Sequence, residues 1–129
     1  MIVVDTSAVI ALLFREPVGP RIAETLALNP DAMLPASAYV EASMVCGGRN
    51  GLVGLHELDL LVSQLGLAIV PFTAQHARAA QTAFMTYGKG RHPAALNFGD
   101  CMSYAVAKVA GRGLLFSGGD FALTDVGVA

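Results

Sequence analysis

Tryptophan is absent, cysteine occurs twice, and charged residues make up only 14% of the 129-residue chain. Two cysteines, Cys46 and Cys101, exclude a disulfide framework and have no zinc-ligand spacing. Both lie in apolar surroundings and are expected to be small buried hydrophobes. No run reaches the roughly 18 uninterrupted apolar residues of a membrane span, so no membrane association is expected. The N-terminus "MIVVDTSAVIALLF" lacks the basic flank of a secretory signal and carries Asp5 inside its apolar stretch. The expected location is therefore the cytoplasm. A net charge of -2 excludes a broad nucleic-acid-coating surface. Contact with nucleic acid would need a local patch or a metal. Internal repeats, low-complexity tracts and linkers are also missing.

What the chain has in excess is hydrocarbon: 54% of residues are hydrophobic. That implies a thick core, or surface that a partner covers. The length fits a single domain over 1–129. "MIVV" reads as a buried strand ending at Asp5, and "DTSAVIALLF" as a helix broken by Pro17. A second helix reaches Leu28. "MLPAS" is a short strand leading into a helix over 37–45 that carries Glu41, which "GGRNG" interrupts. "LHELDLLVSQL" is an amphipathic helix, "LAIVPF" a strand, and Thr73 caps the helix "AQHARAAQTAFMTYG". After the polar loop "KGRHPAALNFG" comes a very apolar helix opened by Asp100, then the strand "LLFS". Strands alternating with helices imply an α/β fold with a mostly parallel sheet covered on both faces.

In such sheets ligands bind beyond the carboxyl ends of the strands. Asp5 ends the first strand, Asp120 follows the last after a Gly-Gly pair, Asp100 opens a helix after a loop, and Glu41 sits in the helix after the second strand. Asp5 and Asp100 also fit as helix caps, worth about 1 kcal/mol each. Glu41 also fits as a solvated helix residue and Asp120 as a turn acid. If the four converge, they repel one another and resist ionisation unless a cation neutralises them. An all-oxygen donor set favours Mg²⁺ or Mn²⁺. The reaction class that follows is phosphodiester hydrolysis.

The segments "MIVVDTSAV", "ASAYVEASMV", "YGKGRHPAALNFGDCMSYAVAK" and "LLFSGGDFALTDV", spread over nearly the whole chain, together resemble the PIN-domain ribonucleases, specifically the VapC-type toxins of bacterial toxin–antitoxin pairs. "MIVVDTSAV" is similar to their opening strand with its first acid, here Asp5. "ASAYVEASMV" resembles the helix bearing the second, here Glu41. "YGKGRHPAALNFGDCMSYAVAK" is similar to the signature "GKGRHPAxLNFGDCxxYALAK" and places the third acid at Asp100. "LLFSGGDFALTDV" resembles "LLFxGxDFxxTD" and places the fourth at Asp120. Members often carry a polar residue just before that last acid, where this chain has Gly119; Asp125 is a weaker alternative. The resemblance implies a three-layer α/β/α sandwich and Mg²⁺-dependent endoribonuclease activity, with Mn²⁺ as an alternative cation. It also implies a homodimer, part of a larger toxin–antitoxin assembly, inhibited by a cognate VapB-type antitoxin.

On that reading Asp5 and Asp100 coordinate the cation, Glu41 orients water or acts as general base, and Asp120 completes the set. Thr6 and Ser117 are candidate hydroxyls that hold the carboxylates by hydrogen bonds. Lys89, Arg91 and His92 precede Asp100 and are candidates for contacts with the RNA backbone. Arg15 is a weaker one. Tyr104, one turn after Asp100, is expected in the core. The helices over 18–28 and 52–65 are where partner contacts are expected. The alternative is a catalytically inactive PIN-like module that binds RNA or protein, which loss of Asp5 or Asp100 would favour; all four acids are present. A phosphoacceptor receiver domain would need an acid ending "LAIVPF", and a phosphatase would need Asp-x-Asp at Asp5. Neither pattern occurs.

Overall fold

Four short apolar runs pair side by side in the computed structural model, which describes residues 1–129. The strands β1 (Val3–Val4), β2 (Met33–Pro35), β3 (Ala68–Val70) and β4 (Leu114–Leu115) form one sheet in the order β3-β2-β1-β4. Every pairing is parallel, with Val3 beside Met33 on one edge and Leu114 on the other. Parallel neighbours require crossovers, and helices supply them. The helices α1 (Thr6–Leu13) and α2 (Gly19–Ala27) join β1 to β2, and α3 (Ala36–Leu65) joins β2 to β3. The helices α4 (Ala74–Tyr87) and α5 (Phe98–Ala110) join β3 to β4. A short 3₁₀ turn, Phe121–Leu123, follows.

The period of two along each strand divides the core. Ile2, Val4, Leu34 and Leu115 face one side, with Val9, Ile22 and Leu58 from α1, α2 and α3. Val3, Leu114 and Phe116 face the other, with Ala83 of α4 and Val106 of α5. The arrangement is the expected α/β/α sandwich, and its four-stranded sheet is wholly parallel. The two cysteines are free and buried, one in each core.

The helix α3 differs from its sequence-based reading. Helical structure does not stop at "GGRNG" but runs through Gly47 and Gly48 to Arg49 before Asn50 and Gly51 leave helical geometry. Gly51 takes φ 60°, ψ -143°, a conformation essentially confined to glycine. The chain then folds back as a second limb over 52–65. Tyr39 donates to Asp59 across the pair, although a straight helix would separate them by about 30 Å. The glycines allow this close approach. A β-carbon on Gly54 would overlap the Cys46 carbonyl, while one on Gly48 would meet nothing. Gly54→Ala is therefore expected to destabilise the fold by about 1–3 kcal/mol through overpacking. Gly48→Ala is expected to stabilise it by about 0.5–1 kcal/mol through helix propensity. Urea-unfolding midpoints of the two variants should move in opposite directions.

Candidate active site

The site begins where β1 runs out. Asp5 is extended, and its N–H donates to the Leu115 carbonyl at 2.9 Å, tying it to β4. Its carboxylate caps α1: Oδ2 accepts from the Ser7 N–H at 3.0 Å and from the Ser7 hydroxyl at 2.6 Å. The Ser7 oxygen in turn accepts from the Ser117 N–H at 3.0 Å, so the end of β4 fixes Asp5 through one hydroxyl. Oδ1 of Asp5 is buried and has no hydrogen-bond partner.

Asp100 arrives from the other core. It does not open α5 as the sequence suggests. Asn97 is the cap, and Asp100 stands in the third helical position. The two form a capping box: the Asn97 side chain accepts from the Asp100 N–H at 2.9 Å, and Asp100 Oδ2 accepts from the Asn97 N–H at 3.1 Å. Burial pushes the Asp100 carboxyl up from 3.8 to about 6, against the opposing Asn97 hydrogen bond, and the charges of Asp5, Asp120 and Glu41 add to the rise.

Glu41 comes from the first limb of α3. Its carboxylate lies against the α-carbon of Gly99, where any β-carbon would overlap it. Asp5, Glu41 and Asp100 thus line one cavity of about 360 Å³, with Ser7, Ser117 and Glu16 also on its wall. Asp120 is exposed and outside that lining, close enough for its charge to act on Asp100.

Several expected side chains do other things. The Thr6 hydroxyl donates to the Ala38 carbonyl at 3.2 Å and braces α1 against α3. Ser117 contributes its backbone N–H, and the hydroxyl that touches a carboxylate is that of Ser7. Helix phase explains the difference: the second residue after a capping acid presents both N–H and side chain to it, whereas the first turns inward. Tyr104 donates to Asp125, which also pairs with Lys108 at 3.1 Å. The Tyr104 hydrogen bond, together with Lys108, holds the Asp125 carboxyl below its usual range. Asp125 is therefore engaged away from the cavity. Lys89 and Arg91 are exposed, with the Arg91 guanidinium 5.7 Å from the Phe84 ring centre. His92 packs edge-on to Tyr87 at 5.0 Å, and its Nδ1 accepts from the Ala94 N–H. None of the three lines the cavity. Glu16 went unseen because it follows a helix rather than a strand. Arg15 takes φ 53°, and the Glu16 N–H reaches back to the Ala11 carbonyl, turning Glu16 to the cavity mouth.

The donor set suits a hard divalent cation. It is all oxygen, it includes one orphaned buried carboxylate oxygen, and it holds one acid whose ionisation is suppressed by burial and, to a lesser degree, by the neighbouring acids. The carboxylates share the cavity, but no three of them close into a group that could hold a metal ion as placed.

The chain is similar to known proteins over nearly its whole length. The PIN domain model matches residues 2–127. A protein of Mycolicibacterium smegmatis named Ribonuclease VapC is 45% identical over 124 residues, covering 96% of each chain. Ribonuclease VapC36 of Mycobacterium tuberculosis is 46% identical over 125 residues, covering 96% of this chain and 90% of that one. Among solved structures, M. tuberculosis VapC20, a sarcin–ricin loop cleaving toxin, superposes with a TM-score of 0.78 at 19% identity, covering 98% of this chain and 96% of that one. VapBC2 of Rickettsia felis, bound to promoter DNA, gives 0.79 at 14% identity, covering 100% and 98%.

Two predictions follow from the packing of the acids. In metal-free protein the native state retains a proton on Asp100 between pH 3.8 and about 6 that the unfolded chain releases. Stability therefore falls as pH rises through that window and levels off above it. Thermal melts at stepped pH should show the slope in wild type and lose it in Asp100→Asn. Gly99→Ala should displace Glu41 while leaving the fold intact, and lower kcat for RNA cleavage by about 100-fold. Matched circular-dichroism spectra and cleavage assays would check this. The chain belongs to the PIN-domain family, among its VapC-type members.

Proposed function

We propose that the protein, acting as one domain over 1–129, is the toxin of a toxin–antitoxin pair and a metal-dependent endoribonuclease that hydrolyses RNA phosphodiester bonds. The observation that carries this reading is the convergence of Asp5, Glu41 and Asp100 on one cavity, with an unpartnered Asp5 oxygen and a suppressed Asp100 acidity. Support comes from relatives named ribonucleases at 42–46% identity. The cation is Mg²⁺, with Mn²⁺ as an alternative. When bound it neutralises the carboxylates and stabilises charge on the phosphoryl oxygens.

The residues divide the work. Asp5 and Asp100 hold the cation. Asp5 presents Oδ1 because Ser7 fixes Oδ2, and Asp100 presents its outer oxygen because Asn97 fixes the other. Glu41, pressed against Gly99, orients the attacking water and accepts its proton. Asp120 completes the set from the rim. Lys89 and Arg91 on the loop before α5 contact the RNA backbone, and His92 braces that loop.

The partners are an antitoxin and a second copy of the chain, within a larger assembly. Exposed apolar side chains support this: Leu28 on the helix over 18–28, Leu52, Val53 and Leu60 on the helix over 52–65, and Phe84 and Phe98 beside a cavity of about 600 Å³ between α4 and α5. No helix is long and apolar enough to cross a membrane, which agrees with a cytoplasmic location.

Sequencing RNA 5′ ends after induction tests the activity. Wild type should generate discrete new ends that Asp5→Asn and Asp100→Asn do not; identical ends from all three proteins would defeat the reading. Mg²⁺ should raise the melting temperature of wild type, and a chelator should reverse the effect. Asp100→Asn should respond to neither.

A further inference from the structure

An acidic cavity repels the strand it is to cut. A cation outside the carboxylate cluster must offset that repulsion, and it must lie on the path of the strand. Glu41 and Val45 line the cavity from α3, and Ile10 lines it from α1. One helical turn further along each stripe stand Arg49 and Phe14. They meet: the Arg49 guanidinium lies 4.2 Å from the Phe14 ring centre. Arg49 is exposed, and neither ion pair of the chain involves it. Its backbone is the last in helical geometry before the reversal at Asn50 and Gly51.

We propose that Arg49, stacked on Phe14, is a substrate-positioning subsite that grips a backbone phosphate of the RNA a few nucleotides from the bond being cut. This rests on the ribonuclease reading. The eight helical steps from Glu41 to Arg49 span about 12 Å, a short step along a nucleic-acid strand. Stacking covers one face of the guanidinium and leaves its N–H edge free, so the fork is ordered before the phosphate arrives. An unpaired guanidinium suits a phosphate, which it can bind through two parallel hydrogen bonds. The apolar Val45 and Ile10 separate Arg49 from Glu41 along the stripe, and Glu16 on the cavity wall makes no ion pair with it. A protein partner on the same stripe is the rival occupant, and the assay separates the two.

Steady-state cleavage of a short single-stranded RNA of mixed sequence, in Mg²⁺ and at stepped salt, is the test. Arg49→Ala should raise KM about tenfold and leave kcat nearly unchanged, because the contact is equal in ground and transition states. The dependence of log affinity on log salt should fall by about 0.7, the value of one phosphate contact on a single strand. Phe14→Leu, which keeps apolar bulk but removes the ring, should raise KM in the same direction by less. Unchanged KM and salt slope in a folded Arg49→Ala would overturn the subsite while ribonuclease activity stands. The same result with weaker retention of the co-purified antitoxin assigns the pair to the protein partner and overturns it equally. A wild type that neither binds nor cuts RNA overturns the ribonuclease reading, and the subsite falls with it.

Discussion

The structure depends on keeping carboxylates together that would separate if free. Asp5, Glu41 and Asp100 reach one cavity from three elements, and each is held there by a different local device. Asp5 is clamped by the Ser7 hydroxyl, Asp100 is locked in a capping box with Asn97, and Glu41 is seated against the bare α-carbon of Gly99. Each device uses part of the carboxylate and leaves the rest available. The cost of the gathering shows at Asp100, whose ionisation burial and its neighbours suppress. Such a cluster destabilises the empty fold and stabilises the cation-loaded one, so affinity for the cation and stability of the protein are linked.

The fold absorbs this strain because the site lies at the meeting line of its two cores. Strand β1 contributes Val4 to one core and Val3 to the other. Asp5 follows at its end, bonded through its N–H to β4. Glu41 is carried by a helix of the first core and Asp100 by a helix of the second. Packing on both faces of one short sheet therefore sets the separation of the acids. With strands only two or three residues long, registration falls largely on the helices, which makes the tight α3 hairpin part of the site's support.

Layer architecture was legible from periodicity and Asp5 from its strand end, whereas Glu41 and Asp100, carried by helices, were legible chiefly through the family-like motifs that contain them. What sequence obscured was helix phase and chain return. "LNFGD" contains two residues able to cap, and only the geometry selects Asn97. "DTS" contains two hydroxyls, and the first turn of α1 sends Thr6 to α3 and Ser7 to the acid. Glu16 reaches the cavity through a left-handed Arg15, a backbone choice that a non-glycine residue does not announce. Gly99 reads as the end of a loop until the helix is seen to include it and Glu41 to occupy the missing side chain's place. The double glycine before Arg49 overstated a break, because its residues stay helical until the reversal itself.

Charge placement completes the picture. The chain has few cations, and two of its arginines are held over aromatic rings rather than carboxylates: Arg49 on Phe14 and Arg91 on Phe84. An arginine paired with an acid has already spent its hydrogen-bonding edge and its charge. One resting on a ring keeps both while losing side-chain freedom. In a protein of net charge -2 with an acidic cavity, bulk electrostatics do not attract a polyanion. On the proposed reading, attraction comes from cations left unneutralised at chosen points, and arginines held on aromatic rings supply it without neutralising the carboxylates.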